Sequence, residues 1–202
     1  MRELEVYLRD RPVGRIINDE GNVVRLHQED ACQALGLAPE RKYASGGSPK
    51  GDDPSYAAIA ELLVQYAADP AEELAELFRQ MTVNVALGNW DAHAKNTSLL
   101  YLEGNAPTVA PLYDVVPVAD VEPRTNMLSL RIAGNLDPKA VTGKTLVTEA
   151  ESWGIVRDVA ERLLEETLSG LEAGFSEASK RFPDAAARHE EGARTRMRGL
   201  AL

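Results

Sequence analysis

The chain has 202 residues, enough to bury a sizeable core, and its 44% hydrophobic and 27% charged shares are ordinary for a globular protein. Its formal charge of -10 argues against nonspecific nucleic-acid binding, which needs clustered Lys and Arg; the sole basic concentration (Arg188, Arg194, Arg196, Arg198) reads as a solvated helix face. Cys32 is the single cysteine, so no internal disulfide forms, and neither a signal-peptide run nor a stretch of about 18 apolar residues occurs, which points to a cytoplasmic protein without membrane contact.

Residues 4–8 (LEVYL) alternate apolar and polar, as a half-buried strand does. Arg11-Pro12-Val13-Gly14 reads as a turn, Arg15-Ile16-Ile17 as a returning strand, and Asp19-Glu20-Gly21-Asn22 as a second turn before an extended segment at 23–26. A short helix is predicted over 28–35, ended by Gly36 in the left-handed conformation. Residues 43–55 (YASGGSPKGDDPS) form a loop, either a plain connector or a mobile substrate-side element. Ile59, Leu62, Leu63 and Tyr66 mark an amphipathic helix over 55–66. Asp69 caps the next helix and Pro70 suits its first turn; Leu74, Leu77, Phe78, Met81 and Val85 line one face until Gly88 stops it. Beyond lie two strands, 97–102 and 108–112, joined by Glu103-Gly104-Asn105, and a further short strand at 128–132. Helix resumes near Glu149 with Trp153, Val156, Ala160, Leu163, Leu164 and Leu168 on one stripe, and a last helix follows Pro183.

The chemistry concentrates between residues 88 and 114. Asp91 and Asn96 stand five positions apart just past a helix end, and Asp114 follows across the strand pair. Phosphoryl transfer asks for a carboxylate to orient the acceptor hydroxyl and take its proton, and for hard oxygen ligands to hold Mg²⁺ against the phosphates. Asp91 suits the base, Asn96 one metal contact and Asp114 the main one. Taken alone, Asp114 is equally a turn residue and His93 a satisfied histidine; the local, polar combination framed by a helix and a hairpin is what carries the reading. Lys95 either neutralises phosphate charge or pairs with a nearby acid. A metal hydrolase using Asp91, His93 and Asp114 competes, although His27 and His189 lie in no spaced ligand motif. No G-x-S-x-G elbow is present, and Cys32 has no obvious partner base.

GNWDAHAKNTSLL (residues 88–100) followed by APLYDVVP (110–117) resembles the signature of HipA-type Ser/Thr kinases, the toxin component of a bacterial toxin–antitoxin pair. RLHQEDACQALG (25–36) and RKYASGG (41–47) resemble the same family in the same order. The resemblance implies Asp91 as catalytic base; Gln28, His93, Asn96, Tyr113 and Asp114 on the nucleotide side, where Lys95 joins them on its charge alone; Asn96 and Asp114 on Mg²⁺; and ATP as phosphoryl donor. It also implies a protein substrate such as an aminoacyl-tRNA synthetase and a DNA-binding antitoxin as partner, with no direct nucleic-acid contact.

A complete family member is about twice this length and carries a Gly-rich phosphate loop and a phosphate-gripping Lys. Here the part before Val24 contains neither, and the first Lys is Lys42. LEVYLRDRPVGRI resembles the family's extreme N-terminal strand pair; a second alignment places Arg9-Asp10-Arg11 at its hinge. The expected architecture is therefore α+β and predominantly helical: a vestigial N-terminal β element over 1–23, then a kinase-like C-lobe over 24–202 with a small β hairpin holding Asp114. Two functions follow. One is an ATP- and Mg²⁺-dependent kinase domain, weakened because positioning supplies most of the rate in this reaction. The other is an inactive remnant that binds the antitoxin or a separate polypeptide bringing the missing lobe.

Overall fold

A computed structural model describes residues 3–8, 11–17, 27–46, 53–101, 106–121 and 127–202, with backbone alone for the first two segments. Residues Glu3–Leu8 (β1) and Arg11–Ile17 (β2) form an antiparallel pair with an irregularity between Val6 and Tyr7. The residues expected to turn, 11–14, instead lie inside β2, where Arg11 already pairs with Leu8. The extended segment expected over 23–26 and the turns at 19–22 and 103–105 lie outside the described residues.

The second sheet is antiparallel in the order β3 (His27–Asp30), β4 (Ser98–Tyr101), β5 (Pro107–Val109). Here the helix expected over 28–35 is corrected. Residues 27–30 pair with β4, Gln28 opposite Leu100, and the helix (α1, Ala31–Ala34) begins only after Asp30 caps it in a reciprocal box with Gln33. Gly36 does adopt the left-handed conformation, φ 65°. The second strand of the hairpin ends at Val109 rather than 112, and residues 110–117 run without regular structure.

Helices α2 (Tyr56–Tyr66) and α3 (Pro70–Leu87) begin where their caps predict: Ser55 accepts from Ala58 N, and Asp69 accepts from Glu72 N. The central helix, α3, packs against α2, α6 (Arg157–Arg181) and α7 (Pro183–Leu200). Its apolar face supplies Leu77, Phe78 and Met81, which meet Ile59, Leu63, Leu146 and Leu164 in the fully buried core. Burying each such side chain is worth about 1.5–3 kcal/mol. The same helix buries polar groups for a purpose: the Glu73 carboxylate accepts from Val109 N at 2.7 Å, and Gln80 Nε2 donates to Ala110 O at 2.8 Å. These bonds pin the strand that leads to Asp114.

Two further expectations are corrected. Residues 128–132 form no strand; they belong to a tight loop closed by Leu128 N to Leu136 O and an Ile132–Asn135 bridge. Helix resumes at α5 (Gly143–Ser152), started by Thr142 and Thr145 in a capping box, and breaks at Gly154 (φ 92°) before α6. The stripe from Trp153 to Leu168 is thus divided, and Val156 is exposed. A four-residue helix, α4 (Val118–Val121), sits beside the end of α3.

The arginines near the C-terminus are largely committed within the chain. Arg194 pairs with Glu190 and Glu172, Arg196 bonds Asp120 and the carbonyls of Ala86 and Leu87, and Arg198 donates to Thr195. No helix among the described residues is long and apolar enough to cross a membrane.

Candidate active site

Helix α3 must stop sharply to deliver the chain into residues 89–97. Gly88 does so at φ 75°, its N–H bonding Asn84 O and Val85 O, while Arg196 satisfies two of the last carbonyls. Asn89 then ties three places together. Its backbone N–H donates to Asn84 O at 2.8 Å, and its side-chain amide donates to Asn84 Oδ1 at 2.9 Å and to Asp114 O at 3.3 Å.

Asp91 opens a compact turn. Its carbonyl accepts from His93 N at 2.7 Å and from Asn96 Nδ2 at 3.3 Å, and Ala94–Asn96 complete one turn of 3-10 helix. The carboxylate is held on one oxygen: Oδ1 accepts from Tyr43 OH at 3.1 Å, with Ser129 Oγ at 3.5 Å. Ser129 is itself fixed to Trp90 O through both its N–H, at 2.9 Å, and its hydroxyl, at 2.8 Å.

Asn96 and Asp114 converge across the hairpin, Asn96 Nδ2 donating to Asp114 Oδ2 at 3.1 Å. Asp114 has φ 54°, a left-handed backbone that Asp tolerates better than most residues and that costs of order 1 kcal/mol. Asn89 on its carbonyl and Asn96 on its carboxylate hold it there. An amide side chain presents oxygen or nitrogen to the same neighbour by a half-turn of its end group. With the oxygen turned inward, Asn96 and Asp114 offer a pair of hard donors, a set that suits Mg²⁺, which fills its remaining positions with water and phosphate oxygens.

The nucleotide-side candidates form a second cluster. Tyr113 OH bonds Ser98 Oγ at 2.6 Å and Lys95 O at 2.5 Å, and Gln28 Nε2 donates to the same Ser98 Oγ at 3.0 Å. Burial pushes the Tyr113 phenol up from its ordinary range, so it stays a neutral donor. Of the two roles open to Lys95, the structure shows the ion pair: its ammonium lies 2.9 Å from Asp30 Oδ2, and that bond raises its pKa. His93 is 7% exposed; burial first, then the charge of Lys42, lowers its pKa and keeps the ring neutral. Lys42 Nζ is 2.8 Å from His93 Nε2, so the ring accepts there and carries its proton on Nδ1, which has no partner among the described residues. Among those residues no three His, Cys, Asp or Glu side chains gather as a metal-binding group.

The structure therefore brings Asn96 and Asp114 together and holds the Asp91 backbone against the Asn96 amide. Gln28, Tyr113 and Lys95 gather around Ser98 and Asp30, and His93 packs its ring edge-on against Tyr43 with centroids 5.2 Å apart. Sequence reasoning missed Lys42, Tyr43, Asn89 and Ser129 as site residues. Lys42 and Tyr43 do lie in the RKY stretch already singled out; Ser129 carries no local signal, because it reaches Asp91 only through the tight loop.

Comparison with known proteins places the arrangement in context. Residues 9–175 match the family described as HipA-like C-terminal domain, so the match begins within the N-terminal β element. Y4mE of Sinorhizobium fredii, a protein named as a kinase, is 33% identical over 171 residues, covering 83% of this chain and 39% of its own. The serine/threonine-protein kinase toxin HipA of Shewanella oneidensis is 30% identical over 151 residues, covering 72% of this chain and 34% of its own. This chain thus spans about two fifths or less of those relatives. A solved structure of HipA with HipB and operator DNA from Shewanella oneidensis superposes with a TM-score of 0.74 at 22% identity, covering 90% of this chain and 45% of that one; this shows the kinase-like fold.

Proposed function

The chain belongs to the HipA-like C-terminal domain family, and from that premise we propose that it is the base- and metal-bearing lobe of a serine/threonine protein kinase of a toxin–antitoxin module. The observation that carries this reading is the meeting of Asn96 and Asp114 at 3.1 Å beside the turn that carries Asp91. Asp91, with one carboxylate oxygen held by Tyr43, keeps the other for the acceptor hydroxyl, whose proton it takes as the Ser or Thr oxygen bonds to the γ-phosphorus of ATP and the bond to ADP breaks. Asn96 and Asp114 would hold Mg²⁺. That ion, when bound, neutralises charge on the phosphates. Gln28, His93, Lys95 and Tyr113 stand on the nucleotide side.

The relative from Shewanella oneidensis was solved with HipB and operator DNA. By analogy this chain would engage a DNA-binding antitoxin and meet DNA through it, in keeping with its charge of -10. Its substrate would be a protein of translation, such as an aminoacyl-tRNA synthetase, and it would act in the cytoplasm.

Calorimetric titration of the 202-residue chain with ATP and Mg²⁺ tests the reading. Since the part before Val24 holds neither a Gly-rich phosphate loop nor a Lys, a dissociation constant weaker than about 0.1 mM is expected. Asp114→Ala should abolish binding. Nanomolar affinity, or an Asp114→Ala variant that binds as the wild type does, would count against it. Antitoxin binding without any nucleotide binding would favour the inactive binding module instead.

A further inference from the structure

We propose that Lys42 is the cation that receives nucleotide phosphate charge in this site, an inference that rests on the reading of Asn96 and Asp114 as the metal-holding pair. Among the described residues no carboxylate pairs with Lys42. Its ammonium donates one hydrogen to the neutral His93 ring at 2.8 Å and lies 4.9 Å from the centroid of the Tyr43 ring. An ammonium has three donors, so two remain for an anion. Half-buried against an imidazole and an aromatic face, the charge has lost part of its hydration and has no counter-ion among the described residues, a cost that a bound anion would relieve.

The position points to which anion. Lys42 O accepts from Ala94 N at 3.0 Å, which fixes the residue to the turn carrying Asp91 and Asn96. Tyr43, the next residue, bonds the Asp91 carboxylate, and the His93 ring feels the charges of Lys42, Asp91 and Asp114 together. Lys95, the cation within the motif itself, is already paired with Asp30, and Arg131 reaches the carbonyls of Gly134 and Ser45. A lysine binds phosphate as a point charge, which asks for proximity more than for a fixed fork of donors.

The test is an NMR titration of the full chain with ATP and Mg²⁺, in wild type, Lys42→Met, Lys42→Arg and Asp114→Ala, with a thermal melt of each. Lys42→Met should weaken binding about tenfold or more, Lys42→Arg should recover most of it, and both should melt near the wild type. Raising salt from about 0.1 to 0.5 M should weaken the wild type more than Lys42→Met. Binding by Lys42→Met within twofold of wild type overturns the proposal, as does a Lys42→Arg that folds yet binds as weakly as the Met variant. Should Asp114→Ala bind like the wild type while Lys42→Met does not, the metal assignment falls and Lys42 stands. No binding by the wild type at about 10 mM overturns both.

Discussion

Replacing Glu149 with Ala tests how the loop behind Asp91 is held. Glu149 is 7% exposed, and its carboxylate accepts from Ala133 N at 2.6 Å and from Trp153 Nε1 at 3.1 Å. Ala133 has φ 46°, unfavourable for a residue with a Cβ, so the loop that presents Ser129 to Asp91 depends on this anchor. Truncation leaves a buried and a part-buried N–H group without acceptors, at about 1–3 kcal/mol each, while release of a desolvated carboxylate offsets part of that. A net loss of about 2–3 kcal/mol is expected, or about 4–12 °C in Tm for a chain of this length. Urea denaturation of the wild type, Glu149→Ala, Trp153→Phe and the double variant measures it, with a coupling of about 0.5–1.5 kcal/mol because the two residues share a bond. Burial pushes the Glu149 carboxyl above its ordinary range. The folded state then holds the proton more tightly than the unfolded one, so this contribution is full below the unfolded carboxylate pKa and declines as pH rises through the raised folded value. The wild type's advantage over Glu149→Gln should shrink across that window. A loss under about 0.5 kcal/mol for Glu149→Ala, with strict additivity to Trp153→Phe, would refute the anchoring argument.

Two other outcomes follow from the same packing. Gly88→Ala should destabilise by about 2 kcal/mol or more in urea, since a Cβ at φ 75° would lie 2.7 Å from Ala119 Cβ and 2.8 Å from Arg196 Cζ. Gly88→Asn, which tolerates the left-handed backbone, should fail to rescue it because the contact persists. Burial and the Lys42 charge lower the His93 pKa, so the stability it confers is full above the ordinary imidazole value of about 6.5 and is lost as pH falls below it toward the folded value. His93→Gln should flatten that acid limb of the urea midpoint against pH; an unchanged limb would show that another group carries it.

How much of this was legible in the sequence depended on where each residue finds its partner. The starts of α2 and α3, the stop at Gly88 and the last helix after Pro183 were readable because caps and breakers act within one turn. Residues 28–30 misled because their extended conformation is imposed by β4, and Gln28 bonds Ser98 70 positions on. The start of α5 was missed because it depends on Thr142 and Thr145 bonding each other, with little apolar periodicity ahead of it.

The same rule divides the site. Asp91 and Asn96 lie in one short turn and Asp114 one hairpin away, so a local pattern could hold all three. Tyr43 reaches Asp91 across 48 positions, Lys42 reaches His93 across 51, and Ser129 reaches Asp91 across 38. The RKY stretch marks the neighbourhood of Lys42 and Tyr43 but not what they reach, and Ser129 has no local mark at all, since each meets its partner only when the fold brings distant segments together. The groups proposed to do the chemistry were therefore visible first, and those that orient and charge-balance them became visible only with the fold. That ordering makes Lys42 the more informative residue to perturb: loss of Asp114 tests a role that sequence alone suggests, whereas loss of Lys42 tests whether the folded environment of His93 and Tyr43 has been read correctly.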